Sequence, residues 1–308
     1  MDASSLGIAA LFIGSSLRLA MPMMLGAIGE LVSERAGVLN LSVEGMMLLG
    51  AFAGAMGSLA TGSPLLGLVL AVASVVPLAL LQAWLSVSLG ANQIVSGLGI
   101  NVLMLGATTV GYRELLGARS RVQIEGLPMW KPPLLGDLPV VGEAVFRQCW
   151  LLYAAFALIV AVWLVFTRTA LGLRLHAAGA APKALDKSGG SVVRIRYGAV
   201  VFTGVMSALG GAFMSLGDIH TFTENMTRGA GYLALVGVIF GNWKVGRTTV
   251  ACLFFGAATA LQFQLPALGI DAPVALLIML PYLLALLAVG GLVGRQTPPA
   301  ALGVPDVR

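Results

Sequence analysis

The sequence predicts an all-α polytopic membrane protein of about nine transmembrane segments, within a range of eight to ten, with some helices broken. Three observations carry this: 58% of the 308 residues are hydrophobic, only 10% are charged, and the mean hydropathy is +0.95. Soluble domains carry about 25% charged residues. This chain has too little charge to cover a water-facing surface, so lipid is its natural solvent. Forty glycines fit the same reading, because small residues let membrane helices approach closely. Aromatic residues are 7% of the chain, which offers no stacking surface for bases, and no nucleic-acid partner is expected. The net charge of +5 lies in short loops, where it sets orientation. Cys149 and Cys252 fall in or beside apolar runs, with neither a disulfide framework nor metal-ligand spacing.

A crossing helix needs about 20 apolar residues with charges kept to its ends. The first candidate is 6–30; with no basic n-region or small-residue cleavage site before it, it reads as a retained span. A polar stretch at 33–42 precedes the second span, 43–60, and Thr61-Gly62-Ser63-Pro64 marks a turn. The third and fourth spans are 65–89 and 93–111. Residues 112–149, with Pro128, Pro132, Pro133 and Pro139, form an extracytoplasmic loop. The fifth span is 150–166, the strongly basic 167–196 is a cytoplasmic loop, and the sixth span is 198–217. Residues 231–241 are apolar but short at about 1.5 Å of rise per residue, so they form a half-helix or the core of an interrupted span. The last two spans are 248–265 and 272–293, followed by a polar cytoplasmic tail, 294–308. All of 1–308 is one transmembrane domain.

Lys and Arg in the loops set the orientation. With 167–196 in the cytoplasm, parity puts 33–42, 242–247 and the tail inside. That places eleven Lys and Arg inside and six outside, five of the six in the 112–149 loop. The N-terminus is then outside and the C-terminus cytoplasmic.

Several polar residues interrupt this apolar background. Arg18 lies about 12 residues into the first span. A charge there is expensive and normally faces a cavity or a partner; it serves either a solute pathway or backbone carbonyls. Pro22, four residues on, predicts a kink. Asn40 and Glu44 are one helical turn apart and share a face if helix begins early; the plainer alternative is a turn whose Asn and Ser cap the next helix. Asn92, Gln93, Ser96 and Asn101 cluster at the start of the fourth span. They suit either hydrogen bonding to a neutral solute or bonding between helices. Gln262 and Gln264 are a weaker version of the same case. Asp218, Glu224 and Asp271 fall at outer ends, as solvated caps or as contacts for a binding protein.

The stretch Gly241-Asn242-Trp243-Lys244-Val245-Gly246-Arg247-Thr248 nearly matches a phosphate loop. It has Arg where that motif needs Lys, and no strand precedes it. No ATP site is expected on this chain. No catalytic constellation is visible either.

The segment SERAGVLNLSVEGMMLLGA, at 33–51, resembles the signature of ABC importer permeases of the branched-chain amino acid, ribose and nucleoside group, and is most similar to the nucleoside (simple sugar) branch. Residues 167–197, 231–265 and 273–289 resemble that family's cytoplasmic loop, late membrane segment and last span. The resemblance covers about residues 15–293 and implies the ABC importer permease fold. It implies that the 167–196 loop carries a coupling helix that docks on an ATPase subunit, through Ala178, Gly179, Ala180, Pro182, Lys183, Ala184, Asp186 and Lys187. The loop departs from the family pattern in lacking a Glu-Asn pair ahead of Pro182.

The resemblance further implies a cytoplasmic ABC ATPase that holds ATP and Mg, so that this chain is no enzyme and binds no cofactor. It implies a second permease subunit, related or identical, and an extracytoplasmic solute-binding protein or lipoprotein. The location implied is a bacterial-type inner (plasma) membrane, in contact with membrane lipid. The expected function is translocation of nucleosides or related simple sugars. The alternative is an ion-coupled secondary transporter, whose mark would be buried carboxylates; Glu30 and Glu44 are the candidates.

Overall fold

The computed structural model describes residues 3–117, 122–131, 142, 145–267, 273–287, 290 and 296–304. Its helices are α1 (Ala3–Arg35), α2 (Val43–Thr61), α3 (Pro64–Ala83), α4 (Gln93–Leu116), α5 (Trp150–Arg168), α6 (Ala170–Ala180), α7 (Pro182–Lys187), α8 (Val192–Ala212), α9 (Ala230–Phe240), α10 (Val245–Ala267) and α11 (Val274–Leu287). Two π-helical segments, Trp84–Ser88 and Phe213–Ile219, extend α3 and α8. Two-residue strands β1 (Met129–Trp130) and β2 (Gln148–Cys149) pair antiparallel. Among the described residues seven helices are long and apolar enough to cross a membrane, and α9 and α11 are shorter apolar helices. Nine apolar segments therefore match the sequence reading, with α9 as its short member.

Local signals set the helix starts. Ser63 accepts the N–H of Leu66 ahead of Pro64, Thr169 accepts that of Gly172, and Ser191 accepts that of Arg194. Gly62, with φ of 64°, ends α2 in the left-handed conformation.

The bundle has a centre and a rim. The most apolar stretch of α8 is 72% buried and that of α2 is 67%, against 28% for α3, α4 and α5. The centre is dense because side chains are small where backbones cross. A Cβ on Gly50 of α2 would lie 2.6 Å from the Ala208 backbone of α8. A Cβ on Gly211 would collide with the Met47 carbonyl. In lipid no hydrophobic force pulls helices together, so this close packing supplies much of their association.

Two expectations are corrected. The first helix runs on to Arg35 and does not end near residue 30. Arg18 is therefore 17 residues, or about 26 Å, from the helix's basic end, nearer the other end of a hydrocarbon layer about 30 Å thick than its middle. The stretch from 36 to 42 is no solvated turn: five of its seven residues are buried and it runs inward between helices. Irregular backbone survives at such depth only when protein groups satisfy it. Asp271, most of the prolines at 128–139 and the far ends of the loop and tail lie outside the described residues.

Candidate functional site

The inward segment is held by side chains of α1 and α4. Glu30 Oε1 accepts the N–H of Asn40 at 2.7 Å, and Gln93 Oε1 accepts that of Leu39 at 2.8 Å. Asn101 Nδ2 donates to the Leu41 carbonyl at 2.8 Å and to the Tyr232 hydroxyl at 3.0 Å, while its Oδ1 accepts the N–H of Gly45 at 2.8 Å. Asn40 Oδ1 accepts from the Ser42 N–H and hydroxyl at 3.1 and 2.5 Å. Helix α2 begins only at Val43, so Asn40 precedes it and shares no helical face with Glu44. Ser42 makes no side-chain cap bond. Ser96 accepts from Gln82 at 3.3 Å, and exposed Asn92 caps α4 through the N–H groups of Ile94 and Val95.

Glu44 does something different. Its Oε1 accepts from the Thr227 hydroxyl at 2.6 Å and the Gly229 N–H at 2.8 Å, and its Oε2 accepts from the Gly231 N–H at 2.6 Å. Gly229 precedes α9 and Gly231 lies in its first turn. A helix N-terminus presents unpaired N–H groups and a partial positive charge, which favour an anion. Here the chain supplies that anion itself, from a helix far away in sequence. The approach to α9 is tightly wound: His220, Asn225 and Arg228 all have positive φ, at 54°, 53° and 44°. Such conformations cost about 1–3 kcal/mol each and cluster at functional sites.

Beside this helix start lies a cavity of about 400 Å³. Arg18 and Pro22 of α1, Asp218 of the π segment, Thr223, Thr227 and Arg228 before α9, Thr259 and Gln262 of α10, and Tyr282 of α11 line it. Arg18 Nε is 3.7 Å from Asp218 Oδ1. The extra residue of a π turn re-aims a side chain, and Asp218 sits on one. Tyr282 donates to the Arg228 carbonyl at 2.5 Å. Met23, Met214, Leu233 and Phe263 complete the walls. Apolar walls with a few placed donors and acceptors are what a small-solute site needs. At the same end Arg113 donates to both Glu224 oxygens, at 2.7 and 3.0 Å; the pair holds the Glu224 carboxyl below the usual carboxylate range.

The opposite end is a knot of loops. Arg35 donates through Nε and Nη2 to the Trp243 carbonyl at 2.9 and 2.5 Å, and through Nη1 to His176 Nε2 at 2.8 Å. The Trp243 indole N–H donates to Glu34. Burial and the Arg35 charge hold His176 below its ordinary pKa, in keeping with the acceptor role of Nε2. Residues of the tail close over this end: Ala301 donates to the Gly179 carbonyl at 2.8 Å, Gly303 to that of Gly37 at 3.2 Å, and Thr297 to Asn242 Oδ1 at 3.0 Å. Arg196 donates to the carbonyls of Ala36 and Val304 at 3.2 and 3.5 Å. The four segments grouped by charge counting thus converge at one end. Two short helices, α6 and α7, fill the middle of the basic loop. Ala178 and Gly179 point inward, while Ala180, Lys183, Ala184 and Lys187 are exposed and Pro182 opens α7. Asp186 Oδ1 accepts the N–H of Val192 at 3.3 Å.

Of the candidate pathway residues, Arg18 lines the cavity and Glu44 reaches it through Thr227. Gln93, Ser96 and Asn101 bond across to neighbouring segments, the Asn40 side chain bonds locally to Ser42, and Asn92 caps one helix. Sequence reasoning missed the Asp218 partner of Arg18, the Thr227–Gly231 cradle, the Arg35–His176 contact and the bonds of the tail to Gly37, Gly179 and Asn242. Glu34 and Arg35 carried a signal, as charges beside an apolar run, but not the identity of their partners.

Comparison with known proteins now decides the family. Residues 12–289 match the family described as branched-chain amino acid transport system / permease component. The chain belongs to this permease family. The permease is 35% identical, over 98% of both chains, to a guanosine ABC transporter permease protein of Bacillus subtilis. It is 31% identical to a nucleoside ABC transporter permease protein of Lactococcus lactis, over 92% of both chains. It is 36% identical to a putative glucose ABC transporter permease protein of Haloferax volcanii, over 87% of this chain and 82% of that one. No solved structure matches the permease.

Proposed function

We propose that this chain is the membrane-spanning subunit of an ATP-driven ABC importer that moves nucleosides or related simple sugars inward. The observation that carries the reading is the cavity of about 400 Å³ at the start of the broken helix α9. Its Arg, Asp, Thr, Gln and Tyr groups offer both donors and acceptors to hydroxyl-rich, heteroatom-rich solutes. Relatives named for guanosine, nucleosides and glucose support that solute class. Arg18 contacts the solute. Glu44 shapes the cavity floor through Thr227 and Gly229. Asn40, Gln93, Ser96 and Asn101 hold the surrounding backbone, and Asn92 ends the fourth span.

ATP and Mg bind a separate cytoplasmic ATPase subunit, which docks on the exposed side of α6 and α7 at Ala180, Lys183, Ala184 and Lys187. Ala178, Gly179, Pro182 and Asp186 fix the shape of that surface. A second permease subunit and an extracytoplasmic binding protein or lipoprotein complete the importer. The N-terminus faces outward and the C-terminus the cytoplasm of a bacterial-type inner membrane.

The experiment is a pull-down of the tagged chain in mild detergent, with and without Ala184→Asp, followed by mass spectrometry and an ATPase assay. An ATPase that co-purifies and is lost with Ala184→Asp is the expected result. Buried Glu30 favours one other reading, since it lies beside a second buried carboxyl, Glu34, inside the bundle and ion-coupled transporters use such groups. Gradient-driven uptake by the purified chain alone, with no ATPase found, would replace the importer reading with that one.

A further inference from the structure

A second space, of about 390 Å³, opens between α1, α5, α6 and α8. It differs in kind from the solute cavity. Val32, Val162, Phe166, Leu175 and Phe202 are typical of its walls, and Arg194 is the one charged lining residue. Gly198 lines it on an exposed side, where an added Cβ would meet nothing within 4 Å. The groove lies on the rim of the bundle: Val160, Trp163 and Leu164 of α5 are 54%, 44% and 44% exposed beside it. Both α5 and α8 are long enough to cross a membrane, so a lipid tail enters from the side without passing through water.

One end of this flank is basic. Arg194 is exposed in the first turn of α8, Arg168 is the exposed last residue of α5, and Arg174 is exposed on α6. Leu171 and Leu173 of α6 are 54% and 72% exposed among these arginines. Exposed leucines on a short basic helix are the pattern of a segment lying at the headgroup level. A nucleoside or sugar finds almost no polar partner in this groove, whereas an acyl chain matches it along its length.

We propose that the groove binds one acyl chain of an anionic phospholipid, with the lipid phosphate on Arg194. Apolar burial holds the chain, and the basic mouth selects the negative headgroup, as basic pockets between membrane helices do. The bound lipid fills the space behind α6.

The test is lipid retention by the full-length chain. The protein is delipidated in detergent, placed in nanodiscs with equal phosphatidylglycerol and phosphatidylcholine, released, and its bound lipids are counted by native mass spectrometry. The unsubstituted chain should retain phosphatidylglycerol over phosphatidylcholine by roughly fivefold or more. Arg194→Gln should erase that preference, lowering phosphatidylglycerol retention more than phosphatidylcholine retention. Gly198→Phe, which sets a ring in the groove beside Arg194, should remove both lipids. Equal retention of the two lipids by the unsubstituted chain overturns the proposal without depending on any variant. A preference that survives Arg194→Gln also overturns it, with size-exclusion profiles showing that the variant is folded.

Discussion

The Glu44 carboxylate accepts the backbone N–H of Gly231 at 2.6 Å, joining positions 187 residues apart. The start of α2 and the start of α9 are thereby fixed against each other deep in the bundle. The carboxylate occupies the anion position that a helix N-terminus creates, beside the cavity that Thr227 lines.

Removing that carboxylate should be costly. Glu44→Ala leaves the Gly229 and Gly231 N–H groups and the Thr227 hydroxyl without their partner, at about 1–3 kcal/mol for each unsatisfied group. Thermal unfolding of the purified chain in detergent should show a large drop in midpoint for Glu44→Ala and a smaller one for Glu44→Gln, which keeps one acceptor oxygen. Equal midpoints for all three proteins would contradict the capping role.

Arg18 and Asp218 should behave as a coupled pair. Both side chains are partly exposed, at 37% and 28%, so their effect on stability should stay within about 0–1 kcal/mol. Their effect on transport should be larger, because both line the cavity. Asp218→Asn and Arg18→Gln should each raise the KM for uptake about tenfold, equivalent to about 1.4 kcal/mol. The double variant should fall short of the product of the two singles, which proteoliposome uptake measures as a double-mutant cycle.

Two substitutions in the basic loop should fail for different reasons. Ala184 is exposed, so Ala184→Asp should leave the unfolding midpoint within about 0.5 kcal/mol of the original yet abolish ATPase co-purification. Gly179 packs on the Arg35 backbone with no room for a Cβ. Gly179→Val should lower the midpoint itself. If both variants lost stability equally, α7 would not present a free docking surface.

The Arg35–His176 contact predicts a pH effect of definite sign. Burial and the Arg35 charge lower the folded pKa of His176 below its ordinary value of 6.5. The unfolded chain therefore binds more protons below that pH, and stability rises with pH across the window. The contribution is complete above about pH 6.5 and is lost as pH falls toward the folded value. Protection factors over 170–180, which are exchange rates corrected for the intrinsic base-catalysed rate at each pH, should fall on acidification, and His176→Gln should flatten that response. Protection factors that rise on acidification would refute the assignment.

Much of the architecture was legible in the chain. The short 231–241 run appears as the 11-residue helix α9, and the basic loop holds two short helices, the second opening at Pro182, where the resemblance implied a single coupling helix. The candidate site was legible only in part. Arg18 stood out because a charge inside an apolar run is visible without any partner, but Asp218 looked like an ordinary cap. Asn101 looked equally fit to bind a solute or a neighbouring helix, and its bonds to Leu41, Gly45 and Tyr232 depend on which helices touch.

Hydropathy and loop charge are sums over neighbours in sequence, and a lipid solvent enforces them strongly. The sequence by itself therefore determined the membrane class, the order and approximate bounds of the apolar segments, and which loops share one side. Bonds between Glu44 and Gly231, Arg35 and His176, or the tail and Gly179 join residues that no local sum connects. They exist because backbone polar groups buried among helices must find partners wherever packing brings them. Tertiary structure alone decided that the 36–42 segment turns inward, that α9 starts on a carboxylate, and that Arg18 pairs with Asp218 on the wall of a cavity.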